Sequence, residues 1–349
     1  MKKTVLIHDW LEKNFGAEKV LSALHSCYPA PIYTLIHSGF DQFPYPDIRT
    51  SFLQKISTKH FRKLLPLFPK AIESFDLSEY DLILSSSHAV AKSVKKQAHQ
   101  LHICYCHTPM RYAWDEKTTY ASQTALPWAF SILMEKMRMW DKATSKRVDH
   151  FIANSEFIAE RIYRCYNRRS KVIYPPVDIA YFDVCRTKDD YYITSGRDAP
   201  YKRLDLINYA FAKMKRRKLV LIENLTRAEL REKLQGAKAY ISMAKEDFGI
   251  LPVEAMACGT PIIGYGHGGL KETVGEVGGI LFENQTDKAL IEAIETFETK
   301  DFPPDKLHEH AQKFSKERFE EEIKAYVESC YHGWRTGESS LASILPKKA

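Results

Sequence analysis

The segment Glu246-Asp-Phe-Gly-Ile-Leu-Pro-Val-Glu254 sets two carboxylates around a turn that opens a helix. Ala239 to Met243 reads as a buried strand, Pro252 suits the first helical turn, and Gly259-Thr260-Pro261 stops the helix. This spacing puts Glu246 on the strand-to-helix loop and Glu254 in the first helical turn. Between them the backbone N–H groups of Phe248, Gly249, Ile250 and Leu251 emerge at the positive end of the helix dipole, where an anion is stabilised. Carboxylates accept hydrogen bonds from hydroxyls. A ligand carrying both phosphates and hydroxyls, such as a nucleotide-sugar, fits that layout. The pair alone leaves open a plainer reading: an ordinary first-turn Glu favoured by the dipole, and a solvated loop charge.

Three other groups of residues could carry chemistry. Arg197 and Lys202, in Gly196-Arg197-Asp-Ala-Pro-Tyr-Lys202-Arg203, follow the strand Tyr191 to Ser195 and so lie at the carboxyl edge of a parallel sheet, where such sheets bind ligands. Their two positive charges suit a diphosphate. Gly16, between the first strand and the first helix, permits close approach of a ligand to that helix N-terminus. In His102-Ile-Cys104-Tyr-Cys106-His107, residues 102, 104 and 106 face one side of a strand and 107 the other, which disfavours a zinc site. Thr108-Pro109 breaks that strand and leaves His107 at its end. Gly264-Tyr-Gly266-His-Gly-Gly269 matches Gly-x-Gly-x-x-Gly, but it comes late in its domain and lacks an acid at the expected distance; a glycine turn lining a sugar pocket fits better.

The elements that must position these groups alternate strand and helix through both halves, the pattern of α/β folds with parallel sheets. In the first half, strands are expected at 4–7, 81–85, 101–106 and 150–153, with helices at 17–25, 88–96, 127–148 and 156–165. The second half opens with strands 191–195 and 218–222 and a helix at 204–213. Thr226-Arg-Ala-Glu229 is a capping box. A final amphipathic helix from Ser315 carries Phe319, Ile323, Val327 and Cys330. At 349 residues two domains are expected.

Composition narrows the classes. Hydrophobic content of 44% with 27% charged residues describes a globular chain, and no apolar run is long enough to span a bilayer. Seven scattered cysteines without Cys-x-x-Cys point to a reducing cytoplasm. Residues 1–174 carry a net +9 and residues 175–349 a net −2. No nucleic-acid-binding motif accompanies the basic half, so nucleic acid is not an expected partner. Phe52 to Phe68 interleaves basic and apolar residues, as a helix docking on an anionic membrane surface would, although a core helix has the same pattern.

Glu-x7-Glu with Phe-Gly after the first acid, and Glu-Ala-Met-Ala-x-Gly-x-Pro around the second, resemble the signature of glycosyltransferase family 4. His107-Thr-Pro-Met-Arg111-Tyr-Ala-Trp-Asp resembles bacterial surface-polysaccharide members often described as mannosyltransferases. The resemblance implies a GT-B fold, two Rossmann-like domains facing a cleft. It would give an acceptor-side domain over 1–174, a donor-side domain over 175–314, and a C-terminal helix over 315–349 that crosses back. It implies a retaining, metal-independent hexose transfer, with mannose first, from a nucleotide-diphosphate sugar to a glycan or polyprenyl-diphosphate-linked acceptor. No cofactor is expected, and the location would be cytoplasmic, at the inner face of the membrane. On this reading Glu254 holds ribose and Arg197 and Lys202 the diphosphate. Glu246 with the backbone of 248–251 holds the sugar, His107 supports developing charge, and Arg111 lies on the acceptor side. Relatives insert a helix and a strand after the strand ending at Ile222; this chain lacks room for them, so its donor-side domain is expected to be shortened and its base pocket altered. A non-catalytic scaffold subunit of the same fold is the alternative, and a sugar-nucleotide epimerase a weaker third.

Overall fold

Short apolar runs bounded by polar turns form the strands of two parallel sheets in the computed structural model, which describes residues 2–12, 16–38, 44–115, 126–196 and 200–337. The chain divides into two units, Met1–Ile173 with Glu320–Ala349, and Tyr174–Phe319.

The first unit contains β1 (Thr4–His8), β2 (Ile32–Thr34), β3 (Ile48–Thr50), β4 (Leu82–Ser87), β5 (Leu101–Cys106), β6 (His150–Ala153) and β7 (Ser170–Val172). Their order is β3-β2-β1-β4-β5-β6-β7, and every pair is parallel. β4 and β5 are buried along their whole length, as strands covered on both faces must be. Strand order reverses between β1 and β4. The three-residue strands β2, β3 and β7 are too short to show a periodicity in the sequence, and none was expected.

Asp9 follows β1 and is fully buried. Its carboxylate accepts four backbone N–H bonds, from His88 at 2.6 Å, Ala89 at 2.9 Å, Val90 at 2.6 Å and Ala91 at 2.7 Å. The charge and all four donors are thereby satisfied out of water. This clasp explains why the helix expected over 88–96 is absent: the segment holds a single 3-10 turn, Ala91–Ser93. Residues 89 to 94 are all buried, so the segment has no face to give to solvent. Lys92 turns inward and pairs with Asp141 at 2.5 Å.

The segment 52–68 is likewise not one helix. It forms 3-10 turns at Phe52–Lys55 and Phe61–Leu67, and a short helix follows at Phe68–Ile72. Pro66 lacks the N–H that an α-helical ladder needs. Leu53, Phe61 and Phe68 point into the core.

The second unit contains β8 (Tyr192–Ser195), β9 (Leu219–Ile222), β10 (Ala239–Ser242), β11 (Ile262–Tyr265) and β12 (Gly279–Phe282), in the parallel order β12-β11-β10-β8-β9. Here the order reverses between β8 and β10. Edge strand β9 leads through three residues to Thr226, which caps the helix Arg227–Gly236 with both bonds of the expected capping box. The last helix, Lys316–Thr336, buries Phe319, Ile323, Val327 and Cys330. From Glu320 onward its residues belong to the first unit, where Glu328 pairs with Lys2 and accepts a bond from Tyr28 Oη at 3.3 Å.

Replacing Asp9 by Ala would leave four buried N–H donors without a partner, at a cost of about 3 kcal/mol or more. The expected result is a clear drop in the unfolding temperature of the chain; an unchanged value would show that water or a backbone shift takes over the carboxylate's bonds.

Candidate active site

In open parallel sheets, ligands bind beyond the carboxyl ends of the strands where the strand order reverses. The reversal in the second unit lies between β8 and β10. Lys202 follows β8 in the 3-10 turn Pro200–Lys202, and Glu246 follows β10. The structure brings these two residues together: Lys202 Nζ donates to Glu246 Oε1 at 2.6 Å, with both side chains mostly buried. Burial pulls the Lys202 pKa down, but the adjacent Glu246 carboxylate more than offsets this, and the net shift is upward. The ammonium is charged throughout the physiological range. Arg197 lies outside the described residues.

The 246–249 turn is shaped by the glycine loop that follows β11. Gly269 N–H donates to the Glu246 carbonyl at 2.8 Å, and Gly268, with φ of 81°, packs so closely that a Cβ there would sit 2.2 Å from that carbonyl oxygen. Only glycine fits. The Gly-x-Gly-x-x-Gly run therefore moulds the backbone of the Glu246 turn.

Gly249 takes a left-handed φ of 92° as N-cap of the helix Ile250–Ala257. The N–H groups of Ile250 and Leu251 precede the first bond of this helix, from Val253 N–H to the Gly249 carbonyl. Because the helix already starts at Ile250, directly after the left-handed cap, Glu254 is its fifth residue, in the second turn and not the first as the spacing suggested. Glu254 is buried, at 4% exposure. The Phe248 ring belongs to the core, against Tyr174 and Phe314, so only its backbone is available to a ligand.

The first unit has its own polar cluster at the β1/β4 reversal, and most of it was missed in the sequence. Besides Asp9 it comprises His8, Glu18, Ser86 and His88, with His107 at the end of neighbouring β5. His107 Nε2 lies 2.8 Å from Ser86 Oγ; Ser86 Oγ lies 3.1 Å from His8 Nδ1; and His8 Nε2 lies 3.8 Å from Glu18 Oε1. His88 Nδ1 is 3.1 Å from Asp9 Oδ2. Glu18 reaches this cluster from the helix Gly16–Cys27, whose first residue is Gly16. Burial raises the Glu18 pKa, but the hydrogen bond and charge of His8, with the charge of His88, bring it below the ordinary value. The signal available in the sequence was the pair His8-Asp9 closing an apolar strand, and the run Ser85-Ser-Ser87-His88 closing another. Arg111 opens the short helix Arg111–Trp114 and is half-buried. His102 is committed elsewhere, with Nε2 2.7 Å from Ser85 Oγ. Among the described residues no group of three or more His, Cys, Asp or Glu is arranged to hold a metal ion.

Comparison with known proteins agrees with this fold. Residues 21–181 match the family described as Glycosyltransferase Family 4, and residues 216–318 match Glycosyl transferases group 1. The fold is of the GT-B type, and glycosyltransferase family models match a part of the chain in each unit. Among solved structures, HepE from Anabaena, in complex with UDP and glucose, superposes with a TM-score of 0.69 at 19% identity over 94% of this chain and 100% of its own. Sucrose-phosphate synthase from Thermosynechococcus elongatus gives 0.74 at 17% identity over 95% and 100%. The lipopolysaccharide outer core galactosyltransferase WaaB gives 0.61 at 13% identity over 96% and 99%. No curated protein matches the sequence closely enough to count as a relative. One match falls mainly in each unit: residues 21–181 include β4 but not β1, and residues 216–318 include β10 but not β8.

Burial lowers the pKa values of His88, His102 and His107, with His102 pushed down to about 3. Their unfolded counterparts take up protons near pH 6.5. A group whose pKa is depressed by folding contributes stability above its unfolded pKa and loses it as pH falls, by up to about 1.4 kcal/mol per pH unit for each proton. The unfolding temperature is therefore expected to fall from pH 7 to pH 5, and less steeply in His102→Gln; a flat wild-type profile would contradict the buried neutral state.

Proposed function

We propose that this chain is a retaining, metal-independent hexosyltransferase that moves a sugar, mannose first among candidates, from a nucleotide-diphosphate donor to a lipid-linked or polysaccharide acceptor in surface-glycan synthesis. The observation that carries the reading is the Lys202–Glu246 pair at the β8/β10 reversal, beside a glycine-capped helix start. Lys202 and the N–H groups of Ile250 and Leu251 suit a diphosphate, and Arg197 is assigned to the same role. Glu246 suits sugar hydroxyls and Glu254 the ribose. His107 is assigned to charge developing near the anomeric carbon, and Arg111 and Gly16 to binding. With no protein nucleophile assigned, the donor phosphate itself would take the acceptor's proton on the face it leaves.

The bound ligands of HepE make UDP-glucose a necessary competitor to GDP-mannose. Calorimetry with both donors is expected to show binding to one, unchanged by a chelator, with a product anomer that keeps the donor's configuration. Lys202→Met and Glu254→Gln should each weaken that binding by about ten- to a hundredfold, or 1.4 to 2.7 kcal/mol. Failure of every sugar-nucleotide to bind would favour the scaffold reading.

Peripheral membrane docking is the second part of the proposal. Among the described residues no helix is long and apolar enough to cross a membrane. Exposed Phe52, Ile56 and Leu67 stand among exposed Lys55, Lys59, Arg62 and Lys63, a mixture suited to an anionic interface. Co-sedimentation with vesicles rich in anionic lipid should be lost when Lys55, Lys59 and Lys63 are changed to Glu. Sedimentation that survives this reversal would remove the segment from membrane binding.

A further inference from the structure

The polar chain at the β1/β4 reversal fixes more than the position of His107. His8 Nδ1 lies 3.1 Å from the Ser86 carbonyl oxygen as well as 3.1 Å from Ser86 Oγ. A carbonyl only accepts, so His8 Nδ1 carries a hydrogen and donates it toward Ser86. That nitrogen therefore cannot accept the Ser86 hydroxyl hydrogen. The remaining partner of Ser86 Oγ is His107 Nε2, at 2.8 Å, and the hydroxyl is satisfied only when that nitrogen offers its lone pair. A neutral His107 then carries its one hydrogen on Nδ1.

The rest of His107 is already committed. Its backbone N–H donates to the Ser87 carbonyl at 2.9 Å, and its carbonyl accepts from Asn154 Nδ2 at 3.1 Å. Among the described residues Nδ1 has no hydrogen-bond partner, and 8% of the residue reaches the surface. Burial, reinforced by the nearby imidazoles of His88 and His8, holds the His107 pKa well below its ordinary value, so the ring stays neutral.

We infer that Ser86, itself oriented by His8, locks His107 as the Nδ1–H tautomer, so that His107 offers a ligand oxygen a hydrogen-bond donor and does not act as a base. A neutral imidazole N–H of this kind stabilises negative charge on a substrate oxygen without becoming an imidazolium first. Ser86 and His8 are positioning residues: neither needs to touch the ligand. The tautomer follows from the first unit alone, whereas its use on a sugar-nucleotide rests on the transferase reading above.

Two measurements separate these parts. In full-length protein labelled with 15N-histidine, long-range proton–nitrogen correlation reports which ring nitrogen carries the hydrogen, with the His107 signals assigned by their loss in His107→Asn. The expected result is a bare Nε2 and a protonated Nδ1 in the wild type. Ser86→Thr should keep this state, and Ser86→Ala should move it toward a mixture. A wild-type hydrogen on Nε2 would overturn the inference. Turnover is then read with UDP-glucose and GDP-mannose. Asn puts its amide nitrogen where Nδ1 lies and Gln puts it near Nε2, so His107→Asn should keep kcat within about tenfold while His107→Gln loses about a hundredfold or more. Equal loss in both, or Gln outperforming Asn, would rule out the donor role. A protonated Nδ1 with no turnover of either sugar-nucleotide would uphold the tautomer and sink the transferase reading instead.

Discussion

Every strand pair in both sheets is parallel, so all strands of a sheet release the chain at the same edge. A parallel sheet also needs covering on both faces, which spends the strand side chains on the core. Chemistry is left to the residues just beyond the carboxyl ends. Where strand order reverses, adjacent loops diverge and open a crevice. The two reversal points, β1/β4 and β8/β10, collect Asp9, Ser86 and His88 in one unit and Lys202 and Glu246 in the other.

Placing polar groups at a buried edge is costly unless each is satisfied. The two units meet this requirement differently. In the first, Asp9 binds four backbone N–H groups, and a serine hydroxyl links two imidazoles. In the second, a carboxylate and an ammonium neutralise each other while the glycine loop fixes the carboxylate's backbone. One arrangement is rigid through hydrogen bonds to backbone, and the other depends on a pair of opposite charges.

The alternation of strands and helices, the capping box at Thr226 and the final amphipathic helix were legible because their signals are local. The Glu246 to Glu254 segment stood out in the sequence as a candidate site because turn chemistry and charge coincide there. The false helices at 88–96 and 52–68 share one cause. In each, the deciding feature is remote or irregular: Asp9 reaches across 79 or more positions to claim the N–H groups of residues 88–91, and Pro66 interrupts an otherwise helical apolar pattern. The cluster around His8, Glu18 and Ser86 was hidden for a related reason. Its members come from four separate segments, and only the sheet order makes them neighbours. Glu254 was misplaced by one turn because the left-handed conformation of Gly249 sets the helix start, and sequence alone does not fix φ.

The Lys202–Glu246 pair has a consequence for selectivity. An anion that approaches Lys202 must share it with a carboxylate already in place or displace that carboxylate. A small, singly charged anion offers little in exchange, since it would leave Glu246 mostly buried without its counter-ion. A ligand that presents phosphate to the ammonium and hydroxyls to the carboxylate meets both demands in one event. On the proposed donor-binding role, the ion pair would behave as a coincidence detector, indifferent to either chemical feature alone and responsive when one molecule carries both.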